Sequence, residues 1–405
     1  MTGLGAPYML AGTLAVAICA PAAQAQVATK YVDLTLGAGF STNPFLRSED
    51  ADGSLFGRAS ARGVHSWKAE RSLTSLMGYV EGTSYLNDYG LKTVFSVDGS
   101  HLRQVSETMT VFGSVGASGD IAGQLGNRFL YVPAEVETPG DVPPLPLAAG
   151  DLDRFAYGGR QYRFYGQAGL SARLTERSSV TVSGGASRYT FTQDALTDFT
   201  TLFATASYNR ILSERTTLGF NLHGSRSDYD GSRDYNSVLN PSVSVSTRLS
   251  ENLHATAGVG IALSKVRAAM DSDTSTDLSL NGSLCRTGPT ESLCAEVARN
   301  AQSTATAPSV TMTSASAEWY KKLDEKQTIQ LSAGYIKYGA AGDDLLAQSL
   351  GTSQLRGAAS YSRSIIDRLS LGADAGIRSF RRAGDDPSAD VSGSLFVRYR
   401  LGDLR

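Results

Sequence analysis

The sequence predicts an all-β fold: a transmembrane antiparallel up-and-down β-barrel of about 16 strands, preceded by a cleaved signal peptide. Three observations predict this class. Short polar turns recur between stretches in which apolar and polar residues alternate. The connections at the opposite strand ends are longer. Beyond the N-terminus, the sequence has no apolar run of about 18 residues, which argues against helices that span a membrane.

The first 25 residues resemble a secretory signal. Tyr8 to Ala22 is mostly apolar and small, and Ala23-Gln24-Ala25 fits the A-x-A cleavage pattern. We therefore expect residues 1–25 to be removed and residues 26–405 to form the barrel. A chain of 405 residues usually divides into two or three domains. One large barrel is the exception, because its strands close a single sheet.

The composition excludes one class of partner. The net charge is −2, with 37 basic against 39 acidic residues. A protein that binds nucleic acid usually carries a basic patch or a basic overall balance, so no nucleic-acid partner is expected. The chain is rich in glycine, with 42 residues, and in tyrosine, with 18, as expected for turns and for rings at a membrane boundary.

The opening strand shows the alternation most clearly. Between Tyr31 and Ser41, apolar residues occupy every second position and polar or small residues the others. The apolar set is Val32, Leu34, Leu36, Ala38 and Phe40. A period of two places the sets on opposite faces, and in a membrane barrel the apolar face contacts lipid. The register is therefore strict, because a one-residue slip would turn Asp33 into the bilayer.

Seven short polar turns recur, and their usual form is a hydroxyl residue or acid, then Glu or Asp, then a basic or amide residue. They are Lys68–Ser72, Val105–Thr108, Thr175–Ser178, Ser213–Thr216, Ser250–Asn252, Asp324–Gln327 and Ile366–Leu369. Small polar residues suit tight reversals between strands. Seven turns with both chain ends on the same side predict the count of about 16 strands. Because outer-membrane barrels keep short turns periplasmic, both termini are expected in the periplasm.

Two of the longer connections stand out. Residues 121–155 contain five prolines and therefore cannot pair along their length. Residues 268–307 are polar, contain two cysteines and include a helix-compatible piece, Glu291–Gln302. Loops of this length are commonly functional or disordered. Either segment is expected to constrict the lumen or to cover the outer mouth.

A soluble β-sandwich also alternates apolar and polar residues. The predicted strands run roughly 10–15 residues, whereas globular strands are usually about 5–6 and membrane strands about 9–11. The length therefore favours the membrane barrel. Trp67 and Trp319 lie close to short turns, which suits an aromatic girdle at the periplasmic boundary, although strand propensity for aromatic residues would explain them too.

The polar faces of the predicted strands supply the candidate functional residues. Those expected to face the lumen are Asp33, Gln161, Arg163, Tyr165, Gln167, Arg173, Arg248, Asp374, Arg398 and Arg400. Interior charges of both signs tune which solutes pass, but they also pair with one another and brace the wall. Both alternatives stay open at this point. A 16-stranded barrel leaves an aqueous channel, and this is the main physical argument for transport.

No catalytic or metal-binding set is visible in the sequence. The four histidines lie in different predicted strands without ligand spacing, and no G-x-S-x-G elbow occurs. We expect no enzyme activity, no cofactor and no metal. Cys285 and Cys294 are expected to form a disulfide, because an exported chain meets an oxidising periplasm.

The run from Val32 to Phe45, with its glycine-rich strand entering Asn43-Pro44, resembles the opening strand of a porin-like family of outer-membrane β-barrels associated with bacterial exopolysaccharide export. The resemblance implies a porin-like channel that helps polysaccharide cross the outer membrane, with membrane lipid and polysaccharide or its export proteins as partners. Two alternatives remain: a non-conducting structural or adhesive barrel, and a general diffusion porin for small solutes. The oligomeric state is not predicted.

Overall fold

Eighteen antiparallel strands form one sheet in the computed structural model. The structure describes residues 27–46, 52–86, 90–122, 160–192, 196–232, 234–268, 271–303, 310–340, 353–381 and 387–403. The first nine strands are β1 Val27–Ser41, β2 Ser54–Ala69, β3 Ser72–Tyr85, β4 Leu91–Gln104, β5 Met109–Ala122, β6 Gln161–Thr175, β7 Ser178–Phe191, β8 Phe199–Ser213 and β9 Thr216–Tyr229. The others are β10 Tyr235–Ser250, β11 Leu253–Ala268, β12 Asp271–Thr287, β13 Glu291–Gln302, β14 Val310–Lys322, β15 Gln327–Ala340, β16 Ser353–Ile366, β17 Leu369–Arg381 and β18 Ser388–Gly402.

The sheet closes on itself. Each strand pairs with the next one in sequence, and β1 also pairs with β18, from Tyr31 opposite Gly402 to Ser41 opposite Ser392. Closure leaves no sheet edge with unpaired backbone groups. The predicted all-β up-and-down barrel is therefore confirmed, but the predicted number of about 16 strands is wrong, because the barrel has 18.

The two additional strands come from residues 268–307, which the sequence analysis treated as one long loop. Asp271–Thr287 is β12, and Glu291–Gln302, predicted to be helix-compatible, is β13. The turn between them is Gly288-Pro289-Thr290, in which the backbone amide of Gly288 donates to the carbonyl of Glu291 at 2.7 Å. Gly288-Pro289-Thr290 contains no acid, whereas each of the seven predicted turns contains Glu or Asp. The start of β12, residues 271–277, is polar at every position, so it lacks the alternation that predicted the other strands.

The seven predicted turns all lie at strand junctions, and their hydroxyl residues have a direct role. Thr175 Oγ1 accepts a hydrogen bond from the Arg177 amide at 3.2 Å, and Ser213 Oγ accepts one from the Arg215 amide at 3.3 Å. Asp324 Oδ1 likewise accepts a hydrogen bond from the Lys326 backbone amide at 2.7 Å, and this hydrogen bond lowers the pKa of the Asp324 carboxyl. Side chains that satisfy the amide two residues onward favour a tight reversal.

The short turns lie at one rim of the barrel, and the longer connections lie at the other. The described part of the chain begins and ends at the short-turn rim, where Val27 lies opposite Lys68. The predicted signal peptide, residues 1–25, and residues 123–159 of the proline-rich connection lie outside the described residues. In the described part of the chain, no helix is both long and apolar enough to span a membrane.

Candidate functional site

The two faces of the barrel wall differ in chemistry. One face presents exposed apolar side chains such as Leu36, 66% exposed, and Leu395, 71% exposed. The other carries polar groups that touch across intervening strands: Arg58 on β2 lies 2.9 Å from Asp374 on β17, with β18 and β1 between them. Only the concave side of a closed sheet brings such distant strands together, so the polar face is the inner wall.

All ten residues that the sequence analysis placed in the lumen lie on this inner face, because residues opposite each other in an antiparallel register share a face. They are Asp33, Gln161, Arg163, Tyr165, Gln167, Arg173, Arg248, Asp374, Arg398 and Arg400. The structure does not gather them into one cluster. It distributes them among separate networks at different heights on the wall.

The first network lies at the seam between β1 and β18. Arg400 donates from Nε to Asp33 Oδ1 and from Nη2 to Asp33 Oδ2, both at 2.7 Å. The guanidinium carbon also lies 4.2 Å from the ring centre of Tyr31. A two-point contact is the strongest geometry for an arginine and a carboxylate. This pair therefore braces the closure of the barrel and leaves neither group free for a solute.

Asp374 belongs to a second bracing network. It accepts hydrogen bonds from Arg58 at 2.9 Å and from Ser360 at 2.7 Å. The carboxylate thus ties β16, β17 and β2 together across the seam. Arg398 lies on the same part of the wall, with its guanidinium carbon 5.4 Å from the Phe396 ring centre.

A third network was missed by sequence reasoning and holds the start of the first long loop. Asp390 accepts hydrogen bonds from Ser41 Oγ at 2.6 Å, from the Asn43 amide at 2.9 Å and from Arg378 at 2.8 Å. Arg378 also donates to the carbonyl of Pro44 at 3.1 Å. The side chains of this ion pair are 4% and 0% exposed. The Asn43-Pro44 motif was the only signal in the sequence that pointed to it.

The fourth network lies on β4 to β7. The Tyr165 hydroxyl donates to Asp98, and the Arg163 guanidinium carbon lies 5.2 Å and 5.4 Å from the ring centres of Tyr165 and Tyr189. Gly116 lies between the partners on β5. A methyl group there would come within 2.5 Å of the Tyr165 ring and 2.6 Å of the Asp98 carboxylate. Glycine is therefore required for this contact.

The other predicted residues have local roles. Arg173 donates to the carbonyl of Glu107 at 3.0 Å beside a short turn. The backbone amide of Gln161 donates to Asp120 Oδ2 at 3.1 Å near the loop rim. Gln167 is buried on the inner face of β6. Arg248 lies opposite His254, close to the short-turn rim.

Cys285 and Cys294 lie opposite each other on β12 and β13 and are joined as a disulfide, with their Cα atoms 4.1 Å apart. Both lie on the inner face. The pair bridges the Gly288-Pro289-Thr290 turn, so it links the two strands that the sequence analysis missed. Across the ranges that the structure describes, no group of three or more His, Cys, Asp or Glu side chains could hold a metal ion.

Water-accessible polar side chains lie on the inner face of β12 to β14. They are Asn281, Glu296, Ser316 and Glu318, and each is exposed although it points into the barrel. Their exposure distinguishes them from the bracing networks, whose charged groups are largely buried. Sequence reasoning missed all four. Asn281 and Glu296 lie on β12 and β13, which had been assigned to a loop, and Ser316 and Glu318 on β14 were not among the predicted lumen-facing residues.

No protein-family model and no curated protein matches this chain. It is similar in structure to the FrpB iron transporter from Neisseria meningitidis, with 9% identity and a TM-score of 0.48 over 91% of this chain and 81% of that chain. It is also similar to OccK2 (OpdF) from Pseudomonas aeruginosa in complex with glucuronate, with 12% identity and a TM-score of 0.47 over 93% of this chain and 98% of that chain. A BenF-like porin from Pseudomonas fluorescens Pf-5 has 9% identity and a TM-score of 0.48 over 93% of this chain and 99% of that chain.

Proposed function

We propose that this protein is an outer-membrane channel through which small hydrophilic solutes diffuse. One observation carries the proposal. In a closed barrel of 18 strands, the inner wall exposes polar side chains such as Glu296 and Glu318 while the outer wall exposes Leu, Val and Ile. Barrels of about 16–18 strands leave an aqueous channel, whereas barrels of about eight strands fill with side chains.

The outer wall supports a lipid environment. Exposed large apolar residues occur on every described strand except β14, for example Leu36, Phe220, Val259 and Val397. Apolar surface in water costs roughly 25 cal/mol per Å². A continuous apolar wall on a long closed barrel is satisfied by a bilayer. Since barrels of this class keep short turns periplasmic, the proposal places the first and last described strand ends, at Val27 and Gly402, on the periplasmic side.

Trp67 and Trp319 support the same orientation. Both lie on the outer face near short turns, and Trp319 Nε1 donates to Glu291 at 2.8 Å. An aromatic ring with a satisfied polar atom suits the boundary between lipid and headgroups. The short-turn rim is therefore the periplasmic boundary in this proposal.

The structure favours small solutes over a polymer as cargo. Tyr165 was a candidate for stacking on a sugar, but its hydroxyl is bonded to Asp98 and its ring already contacts Arg163. A polysaccharide would have to displace both groups. The export of polysaccharide that the family resemblance implies therefore stays a hypothesis without a specific site on the described inner wall.

Two measurements test the proposal. The protein should co-sediment with outer-membrane markers on a density gradient. Folded protein, identified by a heat-dependent mobility shift, should show unitary conductance in planar bilayers. The same conductance measurement is made on a variant in which a short Gly-Ser linker replaces residues 123–159. Discrete conductance from either form supports the channel, and folded protein that conducts in neither form contradicts it.

A further inference from the structure

Three consecutive rows of side chains cross the outer face of β12 to β16. The row nearest the loops runs from Leu280 through Arg299, Thr313 and Lys337 to Ser353, and it continues to Arg381 on β17. The next row toward the short turns contains Gly282, Val297, Ala315, Tyr335 and Leu355. The third contains Leu284, Ala295, Ala317, Ala333 and Gly357. Because residues in register share a face, all three rows point away from the lumen.

The second and third rows form a groove of about 610 Å³ in the outer wall. Its floor is made of small residues, Gly282, Ala295, Ala315, Ala317 and Ala333. Larger apolar side chains border it, including Val297, Tyr335 and Leu355, which are 55%, 39% and 49% exposed. Elsewhere the outer face projects leucine and valine. A groove with this lining fits a flexible hydrocarbon chain.

The first row places three cations directly above the groove. The cations lie on every second strand, with Arg299 on β13, Lys337 on β15 and Arg381 on β17. Because adjacent strands are about 4.8 Å apart, each cation is about 10 Å from the next. The hydroxyl residues Thr313 and Ser353 lie between them. Within the described ranges, neither Lys337 nor Arg381 forms an ion pair, and Arg299 reaches only Thr313 Oγ1, at 3.4 Å.

Two other outward arginines are neutralised by the protein itself. Arg188 donates to both carboxylate oxygens of Asp230, and Arg226 donates to Asp228 at 2.9 Å. These pairs lie near the loop rim of β7 and β9. Near the rim of a membrane barrel, an outward cation lies at the level of the lipid headgroups, where basic residues attract phosphate. The row on β13 to β17 is therefore placed to bind an anion from outside the described part of the chain.

We propose that this part of the outer wall binds a diphosphorylated, acylated glycolipid of the outer leaflet. Its phosphates accept hydrogen bonds from the arginine and lysine side chains of the first row. Thr313 and Ser353 donate to the remaining headgroup oxygens. One acyl chain lies in the groove over Ala315 and Ala333. The site rests on the proposed function, because it requires that the barrel be embedded in an outer membrane with its loop rim outward.

Charge argues for a lipid over a second copy of this chain. In a two-fold interface built on this face, the cationic row would lie against its own copy, and like charges would repel. A phosphate headgroup instead neutralises the row, and basic residues beside charged lipid contribute about 1 kcal/mol each. Two phosphates on one headgroup also match a row that extends over several strands.

Native mass spectrometry of the purified, detergent-folded barrel tests the site. The probes are diphosphoryl lipid A, monophosphoryl lipid A and phosphatidylglycerol, each titrated separately. We expect the wild-type protein to prefer the diphosphoryl form. The triple variant Arg299→Gln, Lys337→Gln, Arg381→Gln should bind it on the order of 100-fold more weakly, the product of three losses of about fivefold each. The matched control is Arg363→Gln, which removes an exposed outward arginine of β16 near the short turns.

A second variant tests the groove without changing charge. Ala315→Leu with Ala333→Leu should weaken binding of the acylated lipid while leaving the mobility shift of the folded barrel intact. Equal affinity of the wild-type and triple variants, or equal affinity for all three lipids, overturns the proposal. So does a change from oligomer to monomer in the triple variant without loss of lipid, which would assign the face to subunit contacts. These substitutions should leave outer-membrane fractionation and conductance unchanged, so those two measurements report separately on the proposed function.

Discussion

Arg400 and Asp33 form a two-point ion pair across the seam where the last strand meets the first, with both N–O distances at 2.7 Å. The two side chains are 17% and 8% exposed. They are 367 residues apart in sequence. The contact therefore exists only in the closed barrel, and it joins the two ends of the sheet.

Asp33→Asn should destabilise the closed barrel. The substitution removes the charge that compensates Arg400, and an uncompensated buried ion costs about 3–5 kcal/mol. We expect the midpoint of urea unfolding, followed by tryptophan fluorescence in lipid vesicles, to fall. Arg398→Gln is the control on the same strand, because Arg398 contacts only the Phe396 ring in the described contacts. Equal midpoints for Asp33→Asn and the wild type would contradict a bracing role.

Gly116→Ala should disrupt the contact between Tyr165 and Asp98. The added methyl group would meet the Tyr165 ring at 2.5 Å, closer than any stable contact. Overpacking of this kind costs about 1–3 kcal/mol. Gly78→Ala is the matched control, because a methyl group at Gly78 meets nothing within 4 Å. Both variants are compared by urea midpoint, and a Gly116→Ala value equal to that of the control would show that the strand moves aside at no cost.

Asp390→Asn should release the first long loop from the wall. The carboxylate holds Ser41, the Asn43 amide and Arg378 together, and Arg378 is nearly fully buried. We expect the free energy of unfolding to fall by about 3–5 kcal/mol, accompanied by faster proteolytic cleavage at Phe45 and Leu46, next to the contacts that Asp390 and Arg378 make. Limited proteolysis of the folded barrel, followed by mass spectrometry, measures the cleavage rate. Asp228→Asn, which removes a half-exposed ion pair, should leave that rate unchanged.

The stability of the loop rim should depend on pH through Asp230. Hydrogen bonds from Arg188 hold the pKa of the Asp230 carboxyl below its ordinary value. An aspartate whose pKa is lowered by folding stabilises the folded protein fully at pH values above its pKa in the unfolded chain, about 3.9. That stabilisation is lost as the pH falls through the lower pKa of the folded protein. Asp230→Asn should therefore lower the thermal midpoint at pH 7 by an amount worth up to about 1 kcal/mol, since the pair is partly exposed.

The difference between wild type and Asp230→Asn should shrink as the pH is lowered below about 4. Heat-dependent mobility after incubation at each pH provides the midpoints. Glu251→Gln, at the tip of a short turn, serves as the control and should show no such pH-dependent difference. If the Asp230→Asn difference is as large in strong acid as at neutral pH, the ion pair is not its source.

Much of the architecture could be predicted from local sequence. Period-two alternation and short polar turns depend on residues that are close in the chain, so they identified most strands and seven turns. The same local rule missed the Gly288-Pro289-Thr290 turn, which reverses the chain through backbone geometry in place of a capping side chain. It also missed β12, because a strand that extends to the loop rim tolerates polar residues on both faces.

The site residues illustrate a different limit. Alternation placed Asp33, Arg163 and Asp374 on the inner face, but their partners depend on closure. Asp390 meets Ser41 across 349 residues. Whether a lumen charge braces the wall or faces water is decided by strands one to three places away around the barrel. A single sequence carries no record of that neighbour.

Substituted-cysteine labelling tests the central claim most directly. Ser316 points into the barrel and the adjacent Ala315 points outward on the same strand. For folded protein in a planar bilayer, a charged, membrane-impermeant methanethiosulfonate reagent should react with Ser316→Cys and reduce the unitary current. It should leave Ala315→Cys and the wild-type protein, whose Cys285 and Cys294 are joined, unchanged. Reaction at Ala315→Cys with none at Ser316→Cys would contradict a water-filled lumen enclosed by a lipid-facing wall.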